Sequence, residues 1–236
     1  MKKKKIFLFS TYTEDKIIDE HGIMLKKQPG GPLLFIKKAL NNTQVNFISF
    51  HGENIKVLIK ITKNGEQGRV ITTPSINPLP VISADGWIII STVFKEWNLE
   101  NISKTKNKIF LDIQGYVRNI HTFGKKALWK NIEKYAKNIY CMKGTKEEVS
   151  YVPKNVYENQ KKRLLIITDG KNGVEWFFKG KKYFIPVNKK IKSLYTIGAG
   201  DTFFGYFIGY LYKRKTIKIS LEKTCIKTEN FLKESL

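Results

Sequence analysis

Two cysteines, Cys141 and Cys225, are all that 236 residues contain. That excludes a disulfide-stapled secreted scaffold and points to a reducing, cytoplasmic setting. No apolar run approaches the ~20 residues needed to cross a bilayer, and Ile6 to Phe9 is too short for a secretory core, so no membrane partner is expected. Arginine is scarce: Arg69, Arg118, Arg163 and Arg214 are the four present. Base-edge reading and bidentate phosphate grips favour arginine, so specific nucleic-acid recognition is not expected. Acidic residues are also few, 20 against 43 basic, for a formal charge of +23; such a surface attracts polyanions or phosphorylated small molecules. No P-loop ending in Gly-Lys-Ser/Thr occurs, and a dinucleotide fingerprint fails because its third glycine falls at Phe203. His21, His51 and His121 lack metal-ligand spacing.

What is there suits one soluble globular domain spanning residues 1–236, with 42% hydrophobic and 27% charged residues. Ile6 to Phe9, Gly86 to Ser91, Lys108 to Asp112 and Leu164 to Thr168 are apolar runs that read as buried strands. Val45 to Phe50, Ile55 to Ile61 and Arg69 to Thr73 read as further strands, and Pro74 to Pro80 as an irregular connector. Two runs about His21-Gly22 suggest a β-hairpin. Val174 to Phe178 and Tyr183 to Val187 suggest another about Lys179 to Lys182. Leu33 to Leu40, after Pro29-Gly30-Gly31-Pro32, and Ala127 to Tyr140 have helical spacing. Continuous apolar strands alternating with helices imply a mostly parallel sheet covered on both faces.

One stretch organises the chain. Thr196-Ile197-Gly198-Ala199-Gly200-Asp201-Thr202-Phe203 leads into a run so apolar that the helix it opens must be buried. Free N–H groups at its start, with the positive end of the helix dipole, make an anion site. A carboxylate beside such a site is what a hydroxyl needs to attack a phosphoryl group. The plain alternative is a helix cap preceded by loop glycines.

This stretch resembles the C-terminal signature of the ribokinase-like (PfkB) carbohydrate kinases, Asp-Thr-x-Gly-Ala-Gly-Asp-x-Phe, with Tyr195 in place of the first Asp. Asp15 followed by Pro29 to Pro32 is similar to that family's sugar-binding start. Leu111-Asp112-Ile113-Gln114-Gly115-Tyr116-Val117-Arg118 is similar to its Leu-Asp-x-Gln-Gly-x-x-Arg strand end, and Thr168 to Gly173 to its Thr-x-Gly-x-x-Gly nucleotide loop. The resemblance covers roughly residues 6 to 213. It implies a three-layer α/β/α sandwich with a small N-terminal β lid formed mainly by residues 12–30, with part of 55–75.

The implied activity is transfer of the ATP γ-phosphoryl group to a hydroxyl of a small sugar, nucleoside or polyol. The implied roles are Asp201 as base; Gly198, Ala199 and Gly200 as the anion hole; Thr168, Gly170 and Gly173 as nucleotide-binding residues; and Asp15, Gly30 and Gly31 as the acceptor cradle. Mg2+ is expected with ATP, and Glu148, in Lys143 to Glu148, stands where the family's Asn-x-x-Glu carboxylate would. Each role has a structural alternative: a strand-to-hairpin turn at Thr168 to Gly173, a solvated Asp15, a Thr145-x-x-Glu148 capping box, a surface ion pair at Arg118. The family's asparagine after Gly-Gly is not evident, Phe35 and Ile36 occupying that region. The chain is also short after Asp201, where the family places further helices and part of the adenine pocket. The competing expectation is a catalytically silent protein of this fold that binds nucleotide or sugar. The lid's exposed edge could pair with a second copy to form a homodimer.

Overall fold

Along β1 (Lys5–Ser10), Ile6 and Leu8 enter one apolar cluster and Phe7 and Phe9 another, all four buried. A strand buried on both faces belongs inside a covered sheet, and the other elements supply the cover. In the computed structural model, which describes residues 5–63, 65–119, 122–187 and 196–234, the N-terminal half follows with β2 (Thr13–Ile18), β3 (Met24–Gly30), α1 (Pro32–Asn42), β4 (Phe47–His51), β5 (Ile55–Thr62), β6 (Gly65–Val70), β7 (Asn77–Pro78), β8 (Gly86–Ser91) and β9 (Trp97–Asn98). Then come β10 (Lys108–Asp112), α2 (Gln114–Val117), α3 (Glu133–Ala136), β11 (Ile139–Thr145), α4 (Lys146–Val149), α5 (Lys154–Lys161), β12 (Leu164–Thr168), β13 (Val174–Phe178), β14 (Lys181–Ile185), α6 (Ala199–Tyr212) and α7 (Ile217–Glu234).

The main sheet has the order β14-β13-β12-β11-β10-β8-β1-β4. It is parallel from β12 to β4 and antiparallel at β12-β13-β14. One face packs on α2, α3, α4 and α5 through residues such as Tyr116, Val149 and Val156. The other packs on α1, α6 and α7 through Ile36, Leu40, Phe204, Phe207 and Leu221. This is the expected three-layer α/β/α sandwich. A second sheet, β3-β2-β5-β6, buries Ile17, Ile55, Val57 and Ile59 against Val93 of the main body. It is the small β lid.

Helix α6 is central, with every residue from Asp201 to Gly209 buried. Two of its glycines bring α1 close. A Cβ on Gly205 would lie 2.7 Å from Ala39 Cβ, and one on Gly209 would overlap Thr43.

The helix expected over Ala127 to Tyr140 is not formed; only Glu133–Ala136 makes a turn. Its backbone is spent sideways: Ala127 N–H donates to Val117 O and Trp129 N–H to Tyr151 O. Ile139, read as part of that helix, instead opens β11, beside Ile109. The strand expected from Val45 begins at Phe47, because Val45 N–H turns back to Leu40 O at the end of α1. The strand expected at Arg69 to Thr73 is β6, ending at Val70. Beyond α6 the 18-residue α7 occupies the stretch from Ile217. No helix among the described residues is long and apolar enough to cross a membrane.

Candidate active site

The carboxyl ends of β10 and β11 and the N-termini of α1 and α6 meet at one pocket of about 330 Å3, roofed by β2, β5 and β6. The carboxyl edge of a parallel sheet is where a crevice forms, because strand-to-helix turns diverge there. Asp15, Gly31, Glu148, Gly198, Gly200 and Asp201 all line it. The structure thus brings together residues from both ends of the chain. Gly30, Ala199, Thr168, Gly170 and Gly173 do not line it.

On the lid side, β2 alternates so that Thr13, Asp15 and Ile17 face inward. Asp15 is buried rather than solvated, and Thr13 Oγ1 donates to its Oδ1 at 2.6 Å. Burial pushes its pKa up, against the pull of Thr13 and the nearby Arg118. Gly30 is where the carboxylate rests, since a Cβ there would overlap Asp15. Gly31, at φ 84, caps α1; a Cβ would lie 2.6 Å from Thr11 O and 2.9 Å from Thr13 N. Glycine is therefore required at both positions.

On the opposite wall, Gly198 at φ 79 caps α6, and a Cβ there would overlap the Phe35 ring. Phe35, one of the two residues in the region where the family's asparagine was not evident, therefore packs directly against the loop. Ala199 N–H is committed to Thr196 O at 3.0 Å, which leaves Gly198 and Gly200 as the pocket-lining members of the expected hole. Asp201, in the first turn, receives Gln114 Nε2 at 2.8 Å and Ser91 Oγ at 3.3 Å, both on Oδ1. Neither of these donors is on Oδ2. Burial raises the pKa of Asp201 while Lys143, Gln114, Ser91 and Arg118 oppose the rise.

Lys143, Gln114, Ser91 and Glu66 received no role from the sequence. Lys143 lies in β11 with 2% exposure, its Nζ 2.7 Å from Asp112 Oδ2 and 3.1 Å from where a Cβ on Gly200 would be. The ammonium therefore lies under the first turn of α6. Asp112 rises to about 7, through burial first, with Glu148 and Asp201 adding to the rise and Lys143 opposing it. A lysine inside Cys141-Met142-Lys143-Gly144 was the one available sign, a charge in an otherwise buried run. Arg118 lines the pocket, its Nη1 donating to Val93 O at 3.3 Å.

The nucleotide-loop residues sit one strand further out. Thr168 is register partner to Thr145, and Gly170 to Asn172 form a tight turn closed by Asp169 N–H on Gly173 O. The strand-to-hairpin turn is present, and Gly170 at φ 49 has no atom within 4 Å of where a Cβ would be. Thr145 and Glu148 do form a capping box: Glu148 N–H donates to Thr145 Oγ1 and Thr145 N–H to Glu148 Oε2. Glu148 nevertheless lines the pocket. Among the described residues no three His, Cys, Asp or Glu side chains cluster as a metal cage. Glu148, a carboxylate lining the same pocket as the expected anion hole, would suit Mg2+, which keeps most of its waters and takes few protein oxygens.

Tyr195 and His121 lie outside the described residues. His21 and His51 are exposed, and the thiols of Cys141 and Cys225 are pushed up by burial, Cys225 to about 11. None of these four joins the pocket.

A family model described as pfkB family carbohydrate kinase matches residues 132–225, which include Lys143, Glu148 and Asp201. No curated protein sequence matches the chain. Among solved structures, a pyrophosphate-dependent kinase in the ribokinase family, complexed with a pyrophosphate analog and myo-inositol, is similar at TM-score 0.76 and 16% identity, over 97% of this chain and 95% of that one. Ribokinase from Cryptococcus neoformans var. grubii serotype A in complex with ADP is similar at TM-score 0.71 and 12% identity, over 95% and 92%. A fructokinase double mutant from Vibrio cholerae O395, with fructose, ADP and potassium ion bound, is similar at 0.70 and 12%, over 94% and 89%.

Proposed function

We propose that this chain, whose fold is that of the ribokinase-like (PfkB) carbohydrate kinases, is a phosphotransferase acting on a hydroxyl of a small sugar, nucleoside or polyol. One observation carries the reading. Asp201 stands at the N-terminus of a buried helix, in the same pocket as Asp15 and Gly31 on one side and Gly198, Gly200 and Lys143 on the other.

In this reading Asp15 and the main chain at Gly31 hold the acceptor by its hydroxyls, with Gly30 giving the Asp15 carboxylate its seat. Asp201 Oδ2 takes the proton from the attacking hydroxyl, while Gln114 and Ser91 hold Oδ1 and so fix the carboxylate plane. The N–H groups at Gly198 and Gly200, with Ala199 shaping the turn, receive the charge spread over the transferring phosphoryl oxygens. Lys143 adds a fixed positive charge beneath them, and Asp112 holds its ammonium in place. Glu148 would hold Mg2+, directly or through water, and the ion would supply charge neutralisation of the donor phosphates.

The donor we assign first is ATP, with Thr168, Gly170 and Gly173 placed along its phosphates or ribose. Pyrophosphate is the second reading, and one observation favours it: the buried cation Lys143 lines the pocket whereas the three nucleotide-loop residues do not. We read the chain as a single cytoplasmic domain. Edge strand β3, with Met24 and Leu25 exposed, is the place where a second copy would pair.

The test is a panel of polyols, sugars and nucleosides incubated with the protein, Mg2+ and either ATP or pyrophosphate, read by 31P NMR for the acceptor phosphate ester. Turnover of one member supports the reading. Ligand-induced rise in Tm without turnover of any member would instead favour a silent binding protein.

A further inference from the structure

One lid side chain hydrogen-bonds to the anion-hole loop. Glu66, near the start of β6, accepts hydrogen bonds from Thr196 N–H at 2.5 Å and from Thr196 Oγ1 at 3.2 Å. The N–H of Ile197 donates to the same carboxylate. These donors lie 130 residues further along the chain and immediately precede Gly198, whose left-handed backbone opens α6. Glu66, Thr196, Ile197 and Gly198 all line the pocket that holds Asp15 and Asp201. The contact therefore spans the mouth of the pocket, with the lid as one wall and the phosphate-facing loop as the other. Ile197 also packs against the apolar inner face of the lid, beside Ile17, Val57 and Ile59. Hydrogen bonds to an ionised carboxylate are roughly twice as strong as neutral ones, so this is a tie rather than a chance approach.

We infer that Glu66 is a positioning residue that couples lid closure to the shape of the anion-hole loop, so that the phosphoryl group is gripped correctly only while the lid covers the acceptor. The inference rests on the phosphotransferase reading above. Its consequence is a coupling of transfer to water exclusion. With the tie cut, the lid stands ajar and water takes the acceptor's place. The bond from the donor's terminal phosphorus to its bridging oxygen then breaks, and the water oxygen bonds to phosphorus. The water proton passes through Asp201 to solvent, and the products are orthophosphate and the shortened donor.

The experiment compares parent, Glu66→Ala and Glu66→Gln with whichever acceptor and donor the panel identifies, measuring acceptor phosphate and free orthophosphate together. In Glu66→Ala the ratio of hydrolysis to transfer should rise about ten-fold and the acceptor KM should rise with it. Glu66→Gln keeps a carbonyl acceptor for the loop N–H groups and should fall between the two. A ratio and KM within about two-fold of the parent in Glu66→Ala overturn the inference while leaving the kinase reading intact. Should Glu66→Ala not fold, Thr196→Val removes the side-chain member of the tie while the two main-chain bonds remain, and should shift the ratio in the same direction by less than the full loss; an unchanged ratio in both Thr196→Val and Glu66→Gln overturns the inference. Hydrogen exchange gives an activity-free readout. Amides 196–200 and β6 should both exchange faster in the tie-cut variant, and unchanged exchange in both overturns the coupling even if no acceptor is found.

Discussion

Lys143 and Asp112 are register partners on adjacent parallel strands, and their side chains meet at 2.7 Å where neither is open to solvent. Glu148 and Asp201 act on the same ammonium, so one cation faces three acids. Asp112 consequently keeps its proton to about pH 7, burial being the main cause, whereas in the unfolded chain it loses it at the ordinary carboxylate value. Between those two values the folded state binds the extra proton, so stability falls as pH rises through the window and levels off above it. Tm measured from pH 4 to 8 at fixed ionic strength should show this decline, and Asp112→Asn should make it shallower, the remainder coming from Asp15 and Asp201, which burial also raises.

Removing the cation is a harsher change than removing one acid. Lys143→Met leaves buried carboxylates without their partner and should cost about 3–5 kcal/mol in denaturant unfolding. Lys143→Met with Asp112→Asn should regain much of that stability but none of the transfer rate, since the positive charge under the phosphate site is still missing. Recovery of both together would reduce Lys143 to a structural role.

Asp201→Asn removes the proton acceptor and leaves the shape. The kcat for acceptor phosphorylation should fall about 10²–10⁴-fold, with Tm unchanged or raised because a desolvated charge is gone. In the parent, the acidic limb of kcat/KM should lie above the usual carboxylate range, because burial raises the group that must be ionised. Equal rates in variant and parent would remove Asp201 from the chemistry.

Glu148 serves both a cap and the pocket, and a single substitution separates the two uses. Glutamine can still close a capping box, so Glu148→Gln should keep Tm within about 1 kcal/mol equivalent. The Mg2+ concentration for half-maximal rate should nevertheless rise several-fold, about 10-fold if the carboxylate orients a metal-bound water. A magnesium titration of the two proteins decides it.

Strand runs were the most legible part of the chain. Gly86 to Ser91, Lys108 to Asp112 and Leu164 to Thr168 appear residue for residue as β8, β10 and β12, because a strand buried on both faces must be apolar throughout. β11 escaped notice for the opposite reason: Lys143 and Gly144 interrupt its apolar run. The spacing of Trp129, Ile132 and Ala136 before it, continued by its own first residue Ile139, imitates a helix face. Among the candidate residues that meet at the pocket, Gly31, Gly198, Gly200 and Asp201 were legible beside helix starts, whereas Asp15, on strand β2, was reached only through the family resemblance. Lys143, Gln114 and Glu66 were not legible, since Lys143 and Glu66 meet their partners 31 and 130 residues away and Gln114 meets Asp201 87 away. No local pattern records such a meeting.

The contact of α1 with Gly205 and Gly209 has a mechanical consequence. Both helices begin at the pocket, one from Gly31 and the other from Gly198, so the gap between the two cradles is gauged by how closely the helix bodies nest. Gly209 is about 14 Å down the axis from Gly200 and touches no pocket residue, yet a methyl group there would push against Thr43 and pivot the two N-termini apart. On the phosphotransferase reading, the reach from acceptor to phosphate would be calibrated from the far end of the molecule, and drift at that remote glycine would detune the reaction without altering a side chain that lines the pocket.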